Sequence, residues 1–324
     1  MRIYEKFNFP GSLDGSKTLL TGIRHISEKE YVITGFYKYP NDAFQPASFV
    51  YKGKLNGVGK WYILNYPSIG QNIVSQTNLY GPCVKHHDSY NIVGNYTLEG
   101  QTSTIGCLYQ GKLDGSGKWT SIIPTSLSSD PILNTICHST YGDLVVGNYD
   151  TVLVQGKAFI YDIKSKTFTD ITKNDIKSIT AYGIWQNSDK TYTICGGLVQ
   201  DKEFGYVVDW DNKKKKFSNW TLYSYGNNVK SIVTHFDGIS ATCDEHGYTL
   251  TGDYVELGNE KPKGFFAKVK RSKHCKFSRN AKWETLNISG ADGISGNSVS
   301  DDIVIGVFNY NSETTVNGYV SFNN

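Results

Sequence analysis

The side chains most able to do chemistry are scattered, and each falls on or beside a short apolar segment that reads as a strand. His138 ends Leu133-Asn-Thr-Ile-Cys-His138, and His235 stands two residues before Asp237 in Thr234-His-Phe-Asp-Gly-Ile-Ser240. An imidazole held by a carboxylate is a general base with its orienting partner, so His138, His235 and Asp237 are the expected catalytic set if the chain is an enzyme. Arg24, followed by His25, and Lys85 are cations on otherwise apolar segments. They could hold an anionic group or a developing negative charge. Tyr182 and Trp185, in Ala181-Tyr-Gly-Ile-Trp185, offer a stacking wall for a sugar or an apolar chain. Gln186, Asp292 and Asn297 complete the expected ligand-binding set with polar edges.

A structural role competes with each of these. A polar residue on an inner strand often bonds only to a neighbouring strand or to water. An Asp beside a tight Gly caps turns. Lys85, His86 and His87 also read as a solvated hairpin, and the run Lys213–Lys216 as a solvated turn. No Gly-x-Ser-x-Gly, His-Glu-x-x-His, phosphate-binding loop or calcium loop is present. The Ser-x-Asp-x-Gly-x-Thr-Trp box of sialidase-type folds is missing too. No pair of ligands has metal-site spacing, so neither a metal nor another cofactor is expected.

The segments that must position these residues recur. Six copies of one phrase run along the chain: Tyr31-Val-Ile-Thr-Gly-Phe-Tyr37, Tyr90-Asn-Ile-Val-Gly-Asn-Tyr96, Asp143-Leu-Val-Val-Gly-Asn-Tyr149, Tyr192-Thr-Ile-Cys-Gly-Gly-Leu198, Tyr248-Thr-Leu-Thr-Gly-Asp-Tyr254 and Asp302-Ile-Val-Ile-Gly-Val-Phe308. The fifth position is always glycine: Gly35, Gly94, Gly147, Gly196, Gly252 and Gly306. A period near fifty residues in strand-type sequence predicts a six-bladed β-propeller of four-stranded blades. Each phrase is a second strand. The inner strand before it should line the central channel, with glycines such as Gly22, Gly81, Gly183, Gly238 and Gly293 allowing close approach at the axis. The fourth strand often begins with Trp (Trp61, Trp119, Trp220, Trp283), a packing position. The repeats are placed roughly at 12–67, 68–124, 125–172, 173–223, 224–288 and 289–324, within one domain. The last repeat lacks a fourth strand. Arg2–Gly11 resembles Trp61–Pro67 in pattern, so the N-terminal strand is expected to complete that blade and close the ring.

Composition narrows the partners. Charged residues are 19% of the 324 and the net charge is +3, so nucleic acid is not expected. Tyrosine appears 23 times, which suits sheet faces and binding rims. Six cysteines, at 83, 107, 137, 195, 243 and 275, read as buried free thiols. No apolar run reaches membrane-spanning length and no signal-type segment opens the chain. A cytoplasmic location is expected, with secretion by another route left open.

The repeat phrases, together with aromatic-Pro ends such as Asn65-Tyr-Pro67, resemble a bacterial family of propeller-repeat proteins common in cyanobacteria. More distantly, the chain is similar to the propeller of cyanobacterial enzymes that join alkyl chlorides to phenols. Those pair it with a calcium-binding domain that matches no segment here, so no catalytic residue carries over. The leading expectation is a soluble binding module taking a small polar or glycan-like ligand in its central funnel. The alternatives are an enzyme acting at that funnel by His/Asp acid–base chemistry, and a scaffold that binds a protein partner.

Overall fold

The structure, a computed structural model, describes residues 2–40, 47–86, 88–188, 190–227, 230–242, 246–259, 261–272, 276–310 and 314–323. His87, Cys243 and Cys275 lie outside them. The chain forms six antiparallel sheets arranged as a β-propeller. The first blade comprises Lys17–Ser27, Glu30–Lys38, Ala47–Gly53 and Gly59–Ile63, and the second Val74–His86, Ser89–Leu98, Ile105–Gly111 and Lys118–Ile122. The third is Ile132–Tyr141, Leu144–Thr151, Lys157–Asp162 and Thr167–Ile171. In the fourth, the inner strand is split into Ser178–Ile179 and Gly183–Ser188, followed by Thr191–Val199, Glu203–Asp211 and Lys216–Tyr223. The fifth holds Ser231–Ala241, Gly247–Glu256, Lys263–Lys270 and Lys282–Thr285. The sixth takes Ala291–Ser300, Ile303–Tyr310 and Asn317–Asn323 from the C-terminus and Arg2–Lys6 from the N-terminus.

The middle strands read as near-continuous apolar runs because neighbouring blades cover both their faces. Between adjacent blades lie separate apolar clusters. Leu20, Ile23, Phe49 and Tyr51 of the first blade pack on Ile305 and Val320 of the sixth. Leu144, Val146 and Ile160 of the third pack on Ile184, Ile194 and Tyr206 of the fourth. The recurrent tryptophans pack against these clusters, with Trp61 4.9 Å from Tyr51 and Trp283 5.0 Å from Phe265, ring centre to ring centre. Cys83, Cys107, Cys137 and Cys195 are buried free thiols.

Ring closure is made by the N-terminal strand, which runs antiparallel to Asn317–Asn323 from the pair Arg2–Asn323 to the pair Lys6–Tyr319. The Phe7 N–H then donates to the Gly318 carbonyl at 2.8 Å. Arg2 locks the strand onto the fifth blade. Its guanidinium lies 4.0 Å above the Phe266 ring, and its Nε is 3.3 Å from a Glu284 carboxylate oxygen.

Every inner strand breaks register at one equivalent point near its middle, besides further slips toward its ends. The pairing slips between Leu20 and Gly22, Leu79 and Pro82, Cys137 and Ser139, Phe236 and Gly238, and Gly296 and Ser298, while in the fourth blade the strand is interrupted between Ile179 and Gly183. A bulge of this kind bends the strand and re-aims one side chain. It also forces the backbone of the inner strand against the second strand. At each of Gly35, Gly94, Gly147, Gly196, Gly252 and Gly306, a Cβ would collide with the carbonyl oxygen two residues before the re-aimed side chain. These oxygens belong to Leu19, Asn78, Ile136, Thr180, His235 and Ser295. The glycine repeat is therefore the sequence record of six identical bulges. After each bulge comes a small residue: Gly22, Gly81, Ser139, Gly183, Gly238 and Ser298. A Cβ on Gly22, Gly81 or Gly238 would meet backbone of the next blade's inner strand. In the sixth blade this place belongs to Ser298 and not, as expected, to Gly293, whose Cβ would face only Asn309 of its own blade.

Two outcomes follow from this construction. Removing residues 1–11 should lower the melting temperature by more than about 10 °C, since it strips the closing strand from the ring; an unchanged melt would refute closure by pairing. Gly94→Ala should cost about 1–3 kcal/mol, measured by denaturant unfolding, because backbone must shift to admit the methyl group.

Candidate functional site

The six re-aimed residues are Thr21, Tyr80, His138, Tyr182, Asp237 and Asn297, one from each blade. All six line a single axial cavity of about 200 Å³, joined by Leu19 and Phe36. Its lining comes from the first half of the inner strands, so it opens where each blade's fourth strand hands over to the next inner strand. Beneath it lies Arg24, three residues beyond Thr21. Its guanidinium crosses the channel, donating to the carbonyl of Ile184 at 3.3 Å and to Ser139 Oγ at 3.4 Å, and back to its own neighbour Ile23 O at 3.0 Å. Tyr141 and Trp185 stand 5.7 and 5.8 Å from it. Burial lowers its pKa from the ordinary arginine value, and among the described residues its Nε has no hydrogen-bond partner. Arg24 lies under the floor of the cavity and is the crossbar of the ring.

His138 is half of an aromatic wall. Its ring stacks on Tyr182 at 3.7 Å and meets Tyr80 edge-on at 5.2 Å. Asn148, the residue after the recurrent Gly147, fixes its tautomer. The Ala181 N–H donates to Asn148 Oδ1 at 2.7 Å, which turns the Asn148 amide group to donate to His138 Nε2 at 3.0 Å. That leaves Nδ1 as the ring's own donor. Burial, with the charge of His235 behind it, lowers the His138 pKa to about 3.

His235 is the opposite case. Its Nδ1 is 3.0 Å from Asp237 Oδ1 and its Nε2 is 2.7 Å from Thr180 Oγ1. Burial works against its charge, but Asp237, Glu203 and Asp253 outweigh it and the pKa is raised. Gly197 makes room for it: a Cβ there would strike the His235 ring and Glu203 Oε1. Asp253 lies behind, paired in register with His235. Its carboxyl is pushed up to about 8, first by burial and then by the charge of Asp237, against the pull of His235 and a hydrogen bond from the Gly296 backbone. Among the described residues one Asp253 oxygen, Oδ1, is buried without a partner. Glu203 is raised as well, by burial and Asp237. The wall behind Asp237 is thus acidic and short of cations.

The expected site residues separate into four groups. His138, Tyr182, Asp237 and Asn297 share the axial cavity, with His235 directly behind; Asn297 also ties the ring by donating to Leu20 O at 2.7 Å. Arg24 lies under them. His25, Lys85, Trp185 and Gln186 stand toward the other face, and Asp292 is half-buried near the start of the sixth inner strand, 2.7 Å from Lys261 Nζ. Lys85 is held by Asp143 and by Gly142 O, both at 2.9 Å, and His25 is exposed against Tyr31. Trp185 and Gln186 border a larger cavity of about 600 Å³ between the fourth and fifth blades. Its charges are already spent on each other: Arg271 grips Asp209 with two bonds, at 3.1 and 2.7 Å, and also donates to the Tyr248 hydroxyl at 2.7 Å.

Thr21, Phe36, Tyr80, Thr180, Glu203 and Asp253 did not stand out in the sequence. The sixth position of the recurrent phrase carried a usable signal. It reads Phe36, Asn95, Asn148, Gly197, Asp253 and Val307, changing chemistry from copy to copy just after an unchanging glycine. Among the described residues, no group of three or more His, Cys, Asp or Glu is disposed to hold a metal ion, and no helix is long and apolar enough to cross a membrane.

No family model matches the chain, and no curated protein matches it in sequence. Solved structures do match in fold. A subtype N11 neuraminidase-like protein from a flat-faced bat virus superposes with a TM-score of 0.56 at 8% identity, covering 99% of this chain and 92% of that one. The hemagglutinin-neuraminidase ectodomain of parainfluenza virus 5 gives 0.52 at 8% identity, covering 98% and 84%. The intramolecular trans-sialidase of Ruminococcus gnavus, solved with oseltamivir carboxylate, gives 0.51 at 8% identity, covering 94% of each. The chain is a β-propeller with distant structural similarity to sialidase-like proteins.

Asp253 yields a signed pH dependence. Its folded pKa lies above the ordinary carboxylate value of 3.8, so its stabilising contribution is complete at low pH and is lost as pH rises through about 8. Asp253→Asn should therefore melt at least about 3 °C above the parent at pH 8.5. The gain should shrink below pH 5, and a gain independent of pH would disprove the buried acid.

Proposed function

We propose that this chain is a binding module that holds one small polar molecule, of about the bulk of a single sugar ring, in the axial cavity. The observation that carries this is the convergence of one re-aimed side chain from each of the six blades on that cavity. Its volume of about 200 Å³ is below the roughly 300–1,000 Å³ of sites for drug-sized ligands. Aromatic rings of Phe36, Tyr80, Tyr182 and His138 supply contact area, while Thr21, Asp237 and Asn297 supply polar groups.

The state of the histidines favours binding over turnover. A histidine whose pKa is about 3 is a weak base near neutral pH. Both nitrogens of His235 are engaged by Asp237 and Thr180. Acid–base catalysis is the second reading, favoured by one feature: Thr180, His235 and Asp237 form a continuous hydrogen-bonded chain like that of a base and its orienting carboxylate. Against it, Thr180 Oγ1 also accepts the Gly197 N–H at 3.0 Å, which ties the hydroxyl into the backbone.

A thermal-shift screen of monosaccharides, polyols, amino acids and small amines would test the reading. Hits should lose at least about tenfold in affinity in Thr21→Phe, which fills the cavity, and keep it in Lys85→Ala on the other face. Equal loss in both variants, or in neither, would reject the axial site. Conversion of a hit, followed by NMR and abolished in His235→Ala, would replace binding with catalysis; turnover retained in both His138→Ala and His235→Ala would exclude these histidines as its agents.

A further inference from the structure

The charge around the axial cavity is unbalanced. Asp237 faces into it; burial raises the Tyr182 hydroxyl, and the charges of Asp237, Glu203 and Asp150 add to that rise. Asp253 adds a fourth carboxyl beside His235. Among the described residues no Lys or Arg side chain lines the cavity. The nearby cations are His235, already taken by Asp237, and Arg24, turned to carbonyls beneath the floor. His138, on the wall itself, is held neutral. An anionic ligand would enter this space against a carboxylate with no cation to receive it. A neutral ligand would leave the surplus as it stands. Three aromatic rings and a carboxylate around a small volume form instead the surroundings that favour an organic cation, since ring faces and the carboxylate attract positive charge together.

We propose that the cavity's ligand is a small organic ammonium ion, seated between the Phe36, Tyr80 and Tyr182 rings and the Asp237 carboxylate. This rests on the axial cavity being the binding site and adds the charge of what it binds. It also has a consequence for Asp253, whose carboxyl is raised partly by the charge of Asp237. Asp237, His235 and Tyr319 are the titratable groups that act on Asp253 or feel it. A cation arriving at Asp237 offsets the repulsion between the two carboxyls, so Asp253 releases its proton as the ligand binds.

Calorimetric titration with matched pairs tests this: choline against its uncharged isostere 3,3-dimethylbutan-1-ol, and glucosamine against glucose. The charged member of at least one pair should bind at least about tenfold more tightly than its neutral partner. At pH 7 its apparent heat should differ between phosphate and Tris buffers, as proton release requires. Asp237→Asn should erase the preference for charge. Asp253→Asn, which swaps the acid for an amide of the same shape, should erase the proton release and keep the preference. Equal or tighter binding of the neutral members overturns the ammonium inference and leaves the binding site intact. Binding by none of the four also overturns it, and the binding reading is then decided by the wider screen and the Thr21→Phe variant.

Discussion

The contact between each recurrent glycine and a carbonyl oxygen of the inner strand is what the rest of this structure depends on. A regular antiparallel pair would send successive side chains to alternate faces and into the blade interfaces. The mid-strand bulge interrupts that alternation at the same place in each blade and turns one residue to the axis. It can form only where the facing strand has no Cβ, because the carbonyl two residues earlier occupies that space. Six glycines thus permit six bulges, and six bulges build one cavity wall. The scaffold and the site share a single steric condition.

The same geometry separates tasks by ring. The re-aimed residues form the wall that a ligand would meet. Three residues farther along each strand comes a second ring that includes Arg24, Tyr141 and Trp185, and there the polar capacity is used internally. Among the described residues Arg24 has no carboxylate partner; it donates to a carbonyl and a serine of other blades and to the carbonyl of Ile23. A buried guanidinium in this position is costly unless its donors are occupied, so it acts as a crossbar that resists the channel's opening. Its Nε, unpartnered among the described residues, is the residual cost of that role.

Electrostatics then gives neighbouring groups opposite characters. His138 and His235 stand on either side of Tyr182, yet one is driven neutral and the other toward charge. The difference is their partners. An amide, oriented by a backbone N–H, faces His138, whereas three carboxyls surround His235. Burial opposes the charge of both: at His138 nothing offsets it, and at His235 the carboxyls outweigh it. The acidic surplus that remains after His235 and Asp237 are paired is visible in the Asp253 carboxyl, which keeps its proton well above the usual range.

The sequence by itself determined the architecture. The phrase with its fixed glycine, the tryptophan of the fourth strand and the strand left over at the N-terminus are local patterns, and the period of strands and turns needs no knowledge of distant contacts. It also marked His138, His235, Asp237, Tyr182 and Asn297, because polar groups on apolar strands must have a reason to be there. Only the tertiary structure decided which of the marked residues meet. A bulge shifts the side-chain alternation by one residue, and that shift is invisible to a period-two reading, so Thr21 and Tyr80 looked unremarkable while Trp185 and Gln186, three and four residues past the break, looked central. Asp253 and Glu203 come from the second and third strands, and their acidity matters only because separate blades crowd carboxyls around one imidazole. Local pattern specifies a strand. The sum of fields and contacts from six of them specifies a site.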